Sequence, residues 1–320
     1  MTKTSSPNPR SVSGWAPRVG VFLRERYPLN PVMLALFLQS LVSLGFMTSL
    51  LAPPGPDQSW PWLPMIAQSL SVPMFYLLIR IADELKDEEV DRTLFPDRPL
   101  ARGAVHRRDL VILAQVLEML LLILNVVLIQ SAATWILFSV SAFFIFLMFK
   151  WFFIERTLRA SLPLALLTHN PSALIISLYL MSAHLETHTR DVLVFALGAW
   201  AFAAAWEIGR KIRRPADETT YVTYSKVWGP RLPALLVVLL LGIGIALQVS
   251  LFAKRTSFVA SPWIAVGLVV LAFLFVTVQS LRFVLNLERR PSADPTLPVG
   301  LSMLLFLAWS WLWHAGVLSV

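Results

Sequence analysis

Nine stretches of this 320-residue chain are apolar enough and long enough to cross a lipid bilayer. They cover about 31–52, 62–82, 109–130, 132–153, 160–183, 191–209, 232–252, 258–281 and 297–319. A spanning helix needs roughly 20 mostly apolar residues. Backbone groups in lipid must pair internally, so each run is a helix or a barrel strand. Barrel strands alternate in polarity, whereas Leu235–Leu241 is continuously apolar, so helices are expected. Composition agrees: 57% of residues are hydrophobic and 14% charged, against about 25% charged in soluble domains. The fold class expected is an all-α integral membrane protein, with nine helices in one bundle over 31–320. Residues 1–30 form a polar segment without the apolar core of a signal peptide. Within it, Val19–Tyr27 is expected to be an interfacial helix, with Val19, Phe22 and Leu23 towards lipid.

Net charge is +8. Of the 27 Lys and Arg, 24 fall at the N-terminus, in the even-numbered connections or on their flanks; Arg190, Lys254 and Arg255 lie on the other side. The positive-inside rule then places the N-terminus in the cytoplasm of a cell (inner) membrane and the C-terminus outside. The basic balance thus reports topology, and no nucleic-acid partner is expected. No cysteine is present, which excludes thiolate metal sites and Cys nucleophiles. Neither a Gly-rich phosphate loop nor a dinucleotide fingerprint occurs. His106, His184, His188 and His314 lack metal-ligand spacing. One helix break is expected, at Thr168-His169-Asn170-Pro171, with no matching break elsewhere of the kind inverted-repeat transporters carry. His169 and Asn170 are either packing polarity or contacts to a substrate. Glu118 lies inside the third span and is expected to face the bundle, because a lipid-facing charge is costly.

Charged chemistry concentrates in two connections. The first holds six acidic residues within Asp83–Asp91. Asp83, Asp87 and Asp91 are spaced i, i+4, i+8 and share one face of a helix that continues the second span. Glu84 and Glu88 form a neighbouring row. Rows of like charge destabilise a helix, so a cation is expected to offset them. Mg²⁺ takes one or two carboxylates together with phosphates and waters; Arg92, Arg98 and Arg102 nearby suit phosphate oxygens. A solvated acidic loop satisfies the charge pattern equally well. The second connection runs from Glu207 through Arg210, Lys211, Asp217 and Glu218 to Lys226. It is either a polar turn on the basic side of the membrane or a second charged site.

These loops resemble the UbiA superfamily of intramembrane prenyltransferases. Asp83-Glu84-Leu85-Lys86-Asp87-Glu88-Glu89-Val90-Asp91 stands where that family has N-D-x-x-D-x-x-x-D, with Asp for Asn and Glu for Asp at the first two places. Pro96-Asp97-Arg98-Pro99-Leu100-Ala101-Arg102-Gly103-Ala104-Val105 matches its P-x-R-P-L-x-x-G-x-V in full. The second motif, D-x-x-x-D in the family, departs. Glu207 lies upstream of the expected position and Asp217-Glu218 are adjacent, while Thr223–Gly229 resembles the family's following turn.

The resemblance implies transfer of a polyisoprenyl group from its diphosphate to a lipophilic or aromatic acceptor, through an allylic cation inside the membrane. It implies two Mg²⁺ ions held by Asp83, Glu84, Asp87, Asp91 and Glu207, with Asp217 or Glu218 completing the second set. Arg92, Arg98, Lys150, Arg210, Lys211 and Lys226 are the implied diphosphate ligands, and His169 and Asn170 the acceptor contacts. Phe143, Phe144, Phe146, Trp151 and Phe152 could face the cation or serve only as packing and interface anchors. A UbiA-like cyclase, a polytopic transporter and a catalytically inert member share enough of these features to stay open.

Overall fold

A computed structural model describes residues 14–55, 58–127, 131–255, 260–286 and 295–317. Lys3, Arg10, Arg289 and Arg290, counted above among the basic residues, lie outside them. All regular structure in the described residues is helical. In chain order it comprises α1 (Trp15–Arg26), α2 (Leu34–Leu51), α3 (Trp62–Lys86), α4 (Glu88–Leu94), α5 (Arg107–Val127), α6 (Ala132–Phe149) and α7 (Glu155–Ala160). Then follow α8 (Leu162–His169), α9 (Pro171–Leu180), α10 (Thr189–Gly209), α11 (Tyr224–Trp228), α12 (Arg231–Arg255), α13 (Ala260–Leu285) and α14 (Leu297–His314). Nine helical stretches among the described residues are long and apolar enough to span, α8 and α9 counting as one across Leu162–Leu180.

The spanning helices close into a ring. α2 packs on α3, α3 on α6, α6 on α9, α9 on α10, α10 on α12, α12 on α13, α13 on α14, and α14 back on α2. α5 stands outside this ring against α3, α1 and α6. Without a hydrophobic drive between helices in lipid, close approach depends on small residues. α10 and α12 meet this way: a Cβ on Gly244 would lie 3.0 Å from Phe202 and 3.2 Å from the Gly198 carbonyl. At the end of the ring away from the acidic motifs, Thr48 Oγ1 lies 3.0 Å from His184 Nε2, both buried.

Two sequence expectations fail here. α1 forms, but Val19 and Phe22 are buried in the protein instead of facing lipid. The Arg18 guanidinium donates twice, over 2.7 Å, to Asp109, and Trp15 Nε1 donates to the Asp109 carbonyl over 3.1 Å. Those bonds turn the apolar side of α1 onto the bundle. Glu118 does not face the bundle: it sits on the exposed side of α5, because Leu113, Leu117 and Leu121 take the buried stripe.

Candidate active site at the charged end of the bundle

The ring encloses a cavity of about 330 Å³, at the lower end of the ~300–1,000 Å³ range of ligand pockets. Val72 and Tyr76 of α3, Ala173 and Ile176 of α9, and Ala199 and Ala203 of α10 line it. The helical period carries each of these faces to a polar residue at the same end. Asp83 lies two turns beyond Tyr76, His169 two turns before Ile176, and Glu207 one turn beyond Ala203. These three residues therefore sit above the cavity's mouth. Asp83 and Glu207 both act electrostatically on His169, and Asp83 acts on Arg210. The two charged connections touch through Phe95 and Tyr221, whose ring centroids are 5.6 Å apart.

The first acidic motif does not keep one face. The backbone leaves the α-helix at Asp87 (φ −98°, ψ 5°), and α4 starts at the next residue. This bend separates the carboxylates. Asp91 is buried and paired with Arg98 at 2.5 Å. Glu84, also buried, accepts from Arg26 and Arg80 at 2.6 Å each. Arg92 pairs with Glu88 at 2.6 Å, out in the open. Asp83 meets Lys86 Nζ at 2.8 Å. Asp87 is left half-buried, with no side-chain hydrogen bond or ion pair among the described residues. Burial pushes its carboxyl up to about 6; Asp83 and Asp91 add to that rise, against the opposing pull of Lys86 and Arg159.

Lys86 is the functional candidate that sequence reasoning passed over. Its side chain is only 6% exposed. The ammonium lies 3.3 Å from His169 Nε2 and 4.5 Å from the centre of the Trp151 ring. His169 Nδ1 lies 3.0 Å from the Ala165 carbonyl, which can only accept. The ring proton therefore belongs on Nδ1, leaving the Nε2 lone pair to accept from Lys86. The available signal was a lone cation inside an acidic run.

The second connection holds its own charges. Glu207 accepts from Arg210 at 2.6 Å and Lys211 at 2.9 Å. Asp217 pairs with Arg214 at 2.6 Å. Both Glu218 oxygens accept from the Thr223 hydroxyl at 2.8 Å. Lys226 is exposed and donates to the Thr219 carbonyl at 3.0 Å. Lys150 is exposed too, its ammonium over the neighbouring Phe149 ring at 5.0 Å. Of the six basic residues singled out in the sequence, Arg210 and Lys211 pair with Glu207.

Beside His169 the chain turns through Trp151, Phe152 and Phe153 with φ of 51°, 51° and 59°. Three successive non-glycine residues in the left-handed region are costly, at roughly 1–2 kcal/mol each. The turn sets Trp151 and Phe152 edge-on to His169, at 5.8 and 5.5 Å between ring centroids. Trp151 Nε1 and Asn170 Oδ1 are buried there without hydrogen-bond partners. Phe143 and Phe146, by contrast, face outward. The aromatic residues on the cavity wall are Tyr76, Phe195, Phe202 and Trp206. The spacing of Phe195, Phe202 and Trp206 with Glu207 along α10 was the clue in the sequence.

The acidic groups at the mouth offer the oxygen ligands that Mg²⁺ requires, and His169 Nε2 beside them is taken up by Lys86. Asp87, unpaired and raised chiefly by burial and then by its acidic neighbours, with Asp83 one turn away, fits one such ion. Glu207, Asp217 and Glu218 are each bonded within their own connection, as Asp83 is to Lys86. No group of three His, Asp or Glu side chains among the described residues forms a closed metal cage.

No protein-family model matches the chain, and no curated protein matches its sequence. A solved structure does match its fold: a digeranylgeranylglyceryl phosphate synthase studied in membranes. Identity is 15%, the match covers 94% of this chain and 99% of the other, and the TM-score is 0.56. The all-α membrane bundle expected from the sequence, with nine spanning helices among the described residues, is therefore a fold this chain shares with that structure.

Proposed function

We propose that this protein is a membrane prenyltransferase, moving an isoprenoid group from its diphosphate to a lipophilic or aromatic acceptor. One observation carries the reading. Three helices that wall a largely apolar cavity end, on the cavity side, in Asp83, His169 and Glu207. An amphiphile with an apolar chain and an anionic head fits that shape: chain in the cavity, diphosphate at the mouth.

The excess of Lys and Arg in the connections at this end supports a mouth on the cytoplasmic side of the cell membrane. Lys86, Arg210 and Lys211 bind the diphosphate oxygens. His169 positions Lys86 by accepting its hydrogen bond. Asp87 and Asp83 would hold a Mg²⁺ ion; when bound, it neutralises charge on the leaving diphosphate. The allylic C–O bond breaks with its electron pair leaving on the diphosphate oxygen. The remaining cation lies near Tyr76 and Trp206, aromatic faces that attract it by about 0.5–2 kcal/mol each. A carbon or oxygen nucleophile of the acceptor forms the new bond, and its proton passes to the departing diphosphate. Trp151 Nε1 and Asn170 Oδ1 offer one donor and one acceptor for orienting the acceptor.

The test is pyrophosphate release in nanodiscs. Geranyl, farnesyl and geranylgeranyl diphosphates are supplied with Mg²⁺ or EDTA, with and without 4-hydroxybenzoate, followed by mass spectrometry of the organic phase. Metal-dependent release that Asp87→Ala abolishes is expected. A cyclised product formed without acceptor would move the assignment to a cyclase. Release by Asp87→Ala at the wild-type rate would remove the acidic motif from the mechanism.

A further inference from the structure

α5 stands outside the helix ring and shows an exposed stripe to the membrane: Val111, Gln115, Glu118 and Leu122. Gln115 and Glu118 have no hydrogen bond or ion pair within the chain among the described residues. Glu118 is eleven residues from Arg107 at the helix start, so it lies ~16 Å along the axis, near the middle of a bilayer. A carboxyl at that depth is expensive, and such groups turn away from lipid to a partner. Here the fold gives it none.

We propose that this face is the contact for a second copy of the chain, α5 against α5. The stripe advances by four, three and four residues, the a/d spacing of two parallel helices in a left-handed pair. Copies inserted with one topology meet in parallel across a two-fold axis, which places the same patch on both sides. The patch is self-complementary. The Gln115 amide of one copy donates to the Glu118 carboxyl of the other, and the reverse contact follows by symmetry. Hydrogen bonds of this kind hold membrane helices together. A partner of another kind would need its own donor at this depth, whereas a second copy brings one with it. The remote position of α5 leaves both cavity mouths open in the pair.

Because the chain contains no cysteine, single-cysteine crosslinking has no background. Full-length protein carrying Leu122→Cys, in native membranes and in lipid nanodiscs, should crosslink to itself under mild oxidation. Leu305→Cys, exposed on α14, should not. Adding Gln115→Leu and Glu118→Leu should lower the crosslinked fraction at least tenfold. These changes place apolar groups on an already exposed face, and an unchanged thermal midpoint would show the fold intact. Glu118→Gln, whose amide oxygen still accepts from Gln115, should retain crosslinking. Equal crosslinking at Leu122→Cys and Leu305→Cys, a Leu122→Cys yield unaffected by the double substitution, a monomer in both preparations, or an adduct to a different protein would each overturn the proposal.

Discussion

The Lys86 ammonium lies 2.8 Å from the Asp83 carboxylate, and both side chains stand at the cavity mouth. A buried lysine inside an acidic run gives the first motif a fixed positive charge of its own. Hydrogen bonds to a charged group contribute about 1.5–3 kcal/mol. Lys86→Met should therefore raise the KM for the prenyl diphosphate by roughly 10- to 100-fold, read by pyrophosphate release. A KM within a factor of two of wild type would take Lys86 out of the diphosphate site.

The proposed metal position is Asp87 with Asp83: Asp87 has no ion pair among the described residues and Asp83 has one, to Lys86, whereas Glu207 is held by both Arg210 and Lys211. Manganese titration with pyrophosphate, followed by electron paramagnetic resonance, should count one tight ion per chain. Asp87→Asn should remove it and Glu207→Gln should not. Two ions, the second lost in Glu207→Gln, would restore the symmetric two-metal arrangement.

Ala203 lines the cavity one turn below Glu207. Ala203→Trp fills space where the isoprenoid chain is proposed to run. The ratio of geranyl to geranylgeranyl diphosphate consumption should shift at least tenfold towards the shorter donor. An unaltered ratio would place the chain elsewhere.

The Glu84 side chain is 1% exposed and paired with Arg26 and Arg80. Removing one member of a buried ion pair costs about 3–5 kcal/mol, because the remaining charge is left uncompensated. Glu84→Ala should lower the thermal midpoint in detergent markedly. Arg26→Ala should do so by less, as Arg80 stays in place. Equal midpoints for wild type and Glu84→Ala would show that the triad contributes no net stability.

His184 is buried and held near a pKa of about 4, chiefly by loss of hydration and secondarily by His188. Its folded value lies below the unfolded value of about 6.5, so the neutral form is favoured by folding. Stability from this site is complete above pH 6.5 and declines as pH falls towards 4, by up to about 3 kcal/mol. Thermal midpoints measured from pH 7.5 to 4.5 should fall more steeply in wild type than in His184→Gln. Parallel curves would exclude His184 as the group responsible.

By itself the sequence determined the fold class. Runs of roughly 20 apolar residues permit one answer in lipid, because every backbone polar group must find its partner inside the helix. It also located the two charged connections and the break at His169-Asn170-Pro171, where proline removes a donor. Tertiary structure alone decided how those charges are used. A bend at Asp87, invisible in the i, i+4 spacing, sent Asp91 to Arg98 and left Asp87 unpaired. Arg26 arrives from α1, 58 residues away, to take Glu84. Hydrophobic patterning likewise showed that α5 spans but not that Leu113, Leu117 and Leu121 would win the buried side and turn Glu118 outward. Spacing along one helix reports which residues share a face. Which carboxylate keeps its charge free depends on cations delivered by other helices, and that is a property of packing.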